Sequence, residues 1–180
     1  MHYTAVIITN RNYGLYGAFA LGILKINTLV LDMSAPLPSN SDTYKIWEME
    51  TPEAYLECLK KINTCILSVK RVMYNCGENG GVATITASTQ EDNKGIINIT
   101  CSYLIFALDA HHPLLPSLQV TIENLSFQKN CYVIGEKALY ASKIFMGDIF
   151  TGEANLVAQA IYNHIHGTND SISIHSTSLH

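Results

Sequence analysis

The stretch YTAVIITNRNYGLYGAFALGILKINTLVLDM, Tyr3–Met33, decides the fold. Tyr3 to Thr9 is a short β-rich apolar run and predicts a buried strand. Asn10-Arg11-Asn12 interrupts it with polar residues. Tyr13 to Ile26 then predicts a helix, with Leu15, Phe19, Ile23 and Ile26 along one face. Gly14, Ala18 and Gly22 fall at four-residue spacing on another face. Each helical glycine costs about 1 kcal/mol against alanine. Close approach of the helix backbone to a sheet or to another helix is the obvious compensation. Thr28 to Met33 predicts a second buried strand, so the segment has the size of a right-handed βαβ unit.

Beyond this unit the pattern changes. Ser34–Asp42 has loop composition, and Tyr44–Met49 alternates like a short edge strand. Thr51-Pro52-Glu53 is a helix start: a cap, a proline suited to the first turn and an acid at the positive end of the dipole. Leu59, Ile62, Ile66, Val69 and Met73 follow at spacings of three and four, which predicts a long amphipathic helix to about Tyr74. The competing reading ends the helix at Lys61 and places a strand at Thr64–Val69, because Thr64, Ile66 and Val69 are β-branched. The long helix is preferred. Asn75–Gly81 is a turn, and strands are expected at Val82–Thr89, Ile96–Asp109, Leu118–Phe127 and Cys131–Ile134, as an antiparallel meander. Glu136 to His166 is expected to be helical with a break near Gly147–Gly152, with Ala154, Val157, Ala158, Ile161 and Ile165 on one face. The polar 167–180 segment is expected to be a disordered tail. The fold class is thus α/β or α+β: one domain over residues 1–166, its helices packed on a mixed sheet.

Composition narrows the function. The 180 residues are 48% hydrophobic and only 14% charged, against roughly 25% charged in ordinary domains. So little charge predicts self-association or a protein partner, unless Asn, Ser and Thr cover the surface instead. The net charge of −4 and the lack of any Lys/Arg cluster longer than Lys70-Arg71 argue against nucleic acid. The start MHYTAVIITN has no basic region or cleavage site, and no apolar run is long enough to span a bilayer, so a cytoplasmic protein is expected. The five cysteines form no CxxC pair, and their odd number argues against a disulfide framework.

Three places could carry chemistry. At the turn after the first strand, backbone N–H groups beside Asn10, Arg11, Asn12 and Tyr13 would suit a small anionic ligand. No GxGxxG or Walker pattern is present, so no cofactor is assigned. At the end of the long strand, Asp109 and His111 share a face and could act as an acid–base pair. A metal would need a third ligand, for which His2, His164 and His166 are the candidates, and none is assigned. His164 and His166, two apart on a helix, are read as surface residues. Cys76, in a glycine-rich turn, is expected to be the most exposed thiol, with no basic partner to activate it.

Residues 1–35 resemble the opening of the DsrE-like sulfur-relay family: a strand, Thr9, Tyr13-Gly14, an apolar helix and a second strand. The meander from Val82 onward departs from that pattern, and no acceptor cysteine aligns. Without a complete catalytic motif, the expected function is a non-catalytic assembly or regulatory subunit. The alternative is a small enzyme using Arg11, Asp109 and His111.

Overall fold

The computed structural model describes residues 1–10, 13–33, 64–77, 81–89, 95–109, 112–114, 126–135 and 146–168. The chain is α/β. Strand β1 (His2–Thr9), helix α1 (Tyr13–Ile23) and strand β2 (Thr28–Asp32) form the expected βαβ unit. β3 (Thr64–Asn75), β4 (Ala83–Thr89), β5 (Ile96–Ala107), β6 (Ser126–Gln128), β7 (Cys131–Val133) and helix α2 (Met146–His166) follow.

Two long strands divide their length between two layers. β3 pairs parallel to β2 over Thr64–Ser68, then antiparallel to β4 from Val69 to Asn75. β5 pairs antiparallel to β4 over Ile96–Cys101, then parallel to β1 up to Ala107 and to β7 at Leu104–Phe106. The parallel layer therefore reads β3–β2–β1–β5–β7, with β6 antiparallel on β7. The second halves of β3 and first half of β5 carry β4 as a three-stranded antiparallel cover. The β1–β5 pairing closes β1 to β5 into a ring.

β1 sits at the centre, and Ala5, Val6, Ile7 and Ile8 are fully buried. A strand covered on both faces reads as a continuous apolar run, which is why AVII does not alternate. Its odd-numbered side meets α1: a Cβ on Gly17 would lie 3.2 Å from Ile7 Cδ1. Its even-numbered side belongs to the row Leu31, Ile8, Phe106 and Val133, and Phe106 meets Tyr74 of the cover edge to face, with centroids 4.8 Å apart.

Helix α1 packs closely because its small residues face inward. A Cβ on Gly14 would fall 2.5 Å from Thr9 Cβ, so only glycine fits against the end of β1. The large apolar row of the helix is the less buried one: Leu15 and Phe19 are half-buried and Ile23 is exposed. Ile26 is buried beyond the end of the helix. Lys25, at φ 59°, closes α1, with Lys25 N–H donating to Gly22 and Ile26 N–H to Leu21.

Several expectations are corrected. The long helix to Tyr74 is wrong over its last part, where β3 runs. The reason is a β-bulge between Val69 and Arg71. The extra residue puts Val69 and Val72 on the inward side and leaves Met73, the next member of the helical series, exposed, so the spacing of Ile66, Val69 and Met73 does not mark one buried face. The antiparallel meander consists of β3, β4 and β5, and Cys131–Val133 instead runs parallel to β5. Helix α2 passes through Gly147 and Gly152 without a break. Ala154, Val157, Ala158 and Ile161 are buried as expected, but Ile165 is exposed. The loop at Ser34–Asp42, the strand at Tyr44–Met49, the helix start at Thr51, most of the strand at Leu118–Phe127 and the tail beyond Thr168 lie outside the described residues.

Candidate functional site

The carboxyl ends of the parallel strands gather on one edge, and the chain leaves that edge in two directions. From β1 it turns through α1 to β2 on one side, while β7 lies on the other side of β5. The gap between β1 and β5 is therefore a topological switch point, where open α/β sheets bind ligands.

Side chains from both strands meet there. Thr9 Oγ1 donates to the Ala107 carbonyl at 2.9 Å. Asn10 Nδ2 donates to Asp109 Oδ2 at 2.9 Å, and Asp109 N–H donates back to Asn10 Oδ1 at 3.1 Å. This reciprocal pair straps the two strand ends together. On the other side of β1, Met33 N–H donates to the Thr9 carbonyl at 2.7 Å, and Asp32 lies in register with Thr9. At the end of β7, Gly135 N–H donates at 2.6 Å to Oε2 of Glu153, a buried carboxylate on α2.

The structure brings Asn10 and Asp109 together through these two hydrogen bonds. Asp109 is engaged by Asn10. Tyr13 opens α1, while Arg11, Asn12 and His111 lie outside the described residues. The three histidines considered as further ligands are engaged elsewhere. His2 Nδ1 contacts Thr100 Oγ1 at 3.1 Å, at the opposite end of β1. His166 packs on Tyr162. His164 is exposed, as expected, and its Nδ1 lies 2.9 Å from the Tyr103 hydroxyl. Among the described residues, no group of three or more His, Cys, Asp or Glu is placed to hold a metal. Asp32 was not singled out from the sequence. Its signal was an acid closing the second buried strand, TLVLD.

His112 adds a pH response to this edge. Its Nδ1 accepts the Leu114 N–H at 3.2 Å. Burial pushes its pKa below the usual imidazole value, and the nearby Asp109 carboxylate only partly offsets that. The unfolded chain therefore takes up this proton at higher pH than the folded one. The stabilisation is complete above the unfolded value of about 6.5 and is lost as pH falls through the folded value. Melting curves between neutral and mildly acidic pH should show this decline, and His112→Asn, which keeps an acceptor for Leu114 N–H, should flatten it.

No family model and no curated protein sequence matches the chain. Solved structures do. A thioredoxin reductase from Gloeobacter violaceus aligns over 92% of this chain and 96% of its own, with TM-score 0.57 and 10% identity. THI4 from Thermovibrio ammonificans aligns over 92% and 89%, with TM-score 0.56 and 12% identity. The likeness is one of fold. Of p-nitrophenol 4-monooxygenase PnpA from Pseudomonas putida DLL-E4 the chain spans only 42%, at TM-score 0.46 and 11% identity.

The β1–α1–β2 unit and the strand order raise the question of a dinucleotide. With Gly14 taken as the last glycine of G-x-G-x-x-G, the first two positions fall on Thr9 and Arg11. Gly14 keeps the packing role of the third glycine. Asp32 stands 32 − 14 = 18 residues on, at the end of β2, where an acid would meet a ribose hydroxyl. The second glycine normally lets backbone approach a pyrophosphate, and here that position bears the Arg11 side chain. Asp32 and Gly14 fit the ribose and packing positions of that motif, while in the sequence Thr9 and Arg11 stand in place of its first two glycines. No helix among the described residues is long and apolar enough to cross a membrane.

Proposed function

We propose that the chain is a non-catalytic binding subunit that takes an adenosine-type mononucleotide at the ends of β1 and β2. In this reading Asp32 holds the ribose hydroxyls, and the first turn of α1 with Arg11 receives the phosphate. The observation that carries it is Asp32 in register beside Thr9, with Gly14 pressed on Thr9, next to the switch point between β1 and β5. The non-catalytic part rests on the lack of a complete catalytic motif in the sequence. Reductase activity belongs to the fold neighbours and is not carried over.

Titration calorimetry with AMP, ADP, NAD and FAD tests this. The expected result is binding of AMP or ADP, with FAD no tighter than ADP. Asp32→Ala should weaken binding about 10-fold or more, since a hydrogen bond to a charged group contributes about 1.5–3 kcal/mol. FAD binding far tighter than ADP, or no binding at all, would overturn the reading. Self-association is the second part of the proposal, motivated by the low charge. The outer face of the cover mixes the uncharged polar residues Thr84, Thr86, Ser88 and Asn98 with the exposed apolar side chains of Met73 and Ile96. Native mass spectrometry of the same samples reads the oligomer and any retained ligand together.

A further inference from the structure

Cys76 immediately follows β3, on the antiparallel cover, and Cys131 opens β7, on the parallel layer. Their Sγ atoms lie 3.2 Å apart although the residues are 55 apart in sequence. We propose that Cys76 and Cys131 form an oxidation site, at which a hydroperoxide converts the two thiols into a disulfide tying the cover to β7.

The placement supplies what the reaction needs. Cys76 is partly exposed and offers the way in, whereas Cys131 is buried directly behind it. Burial pushes the Cys131 thiol well above the usual range, which suits the second thiol of the pair rather than the one that meets the oxidant first. A disulfide requires the two sulfurs to close by about 1.2 Å, to a bond of about 2.05 Å. Cys101 is a third thiol nearby but fully buried, and Cys65, exposed among the described residues, lies on the half of β3 that pairs with β2. This corrects the expectation that Cys76 is the most exposed thiol.

The chemistry balances in two steps. The Cys76 sulfur attacks the outer oxygen of the hydroperoxide, the O–O bond breaks, the departing oxygen takes up the proton given up by the Cys76 thiol and leaves as alcohol or water, and Cys76 becomes a sulfenic acid. The Cys131 sulfur then attacks the Cys76 sulfur. The S–O bond breaks, water leaves with the Cys131 proton, and the disulfide forms. Two thiols are oxidised by two electrons and one peroxide is reduced. A dithiol reverses the change by exchange.

The test is a peptide map, without reduction, of the full chain treated with limiting hydrogen peroxide. The expected main product is the peptide pair joined through Cys76 and Cys131, and dithiothreitol should release it. Cys131→Ser should stop the reaction at Cys76 sulfenic acid, captured by dimedone. The wild-type map decides the matter by itself if that variant does not fold. Recovery of Cys76 and Cys131 as free thiols while Cys65 is oxidised would overturn the proposal. So would Cys76 joined to Cys101 or to a second chain.

Discussion

Gly14→Ala is expected to destabilise the fold by about 3 kcal/mol or more, the upper end of the overpacking range. The added methyl would lie 2.5, 2.6 and 2.7 Å from Cβ, Cγ2 and Oγ1 of Thr9. A flexible side-chain tip could swing away, but these atoms sit at the root of a β-branched residue. Thr9 cannot retreat either. It is buried, paired with β2 and β5, and its hydroxyl is bonded to Ala107. Either α1 lifts from the sheet or β1 bends. Urea unfolding measures the loss. Thr9→Gly in the same chain removes the obstructing atoms, so the double variant should recover most of it, apart from the lost hydroxyl bond. Gly152→Ala is the control. Its Cβ would meet nothing within 4 Å, and a helix interior should gain about 0.5–1 kcal/mol from it.

Phe106→Ala should cost about 3–5 kcal/mol, as for other buried phenylalanines. The ring is fully buried in the row with Ile8, Leu31 and Val133, and it carries the Tyr74 contact between the two layers. Its loss would leave a cavity under the cover and deprive Tyr74 of its partner. Phe106→Leu should cost much less because it keeps most of the volume. Tyr74→Phe should cost only about 1 kcal/mol, since it keeps the ring contact and loses the hydroxyl's bond to the Leu114 carbonyl. The same urea curves rank the three.

The βαβ start was legible because its signals agree: a continuous apolar strand, a polar break, a glycine-spaced helix and a second apolar strand. β4 and the length of β5 were legible from alternation and from the Glu91–Gly95 interruption. β3 was not, because Ile66, Val69 and Met73 fall at helical spacing by chance, while the bulge at Lys70 breaks the alternation that would have marked a strand. The parallel pairing of β7 was not legible either, since a three-residue strand carries no sign of its partner's direction. At the site, Asn10 and Asp109 were each visible as polar strand ends, but not as partners, because pairing across 99 residues is set by topology alone. Asp32 escaped notice because an acid at a strand end is common, and only its register with Thr9 gives it weight.

The ring of strands also dictates an order of events during synthesis. β1 is made first and lies at the centre, yet its second neighbour, β5, ends at Ala107, 98 residues after Thr9. Until that length has left the ribosome, the strand His2–Thr9 can pair only with β2, and its most apolar residues lack half of their cover. Such long-range closure is slow and leaves sticky surface waiting. The nascent chain is thus most vulnerable to aggregation over the interval between the completion of β2 and the docking of β5. Slowing translation within that interval should cost soluble yield more than slowing it after Ala107.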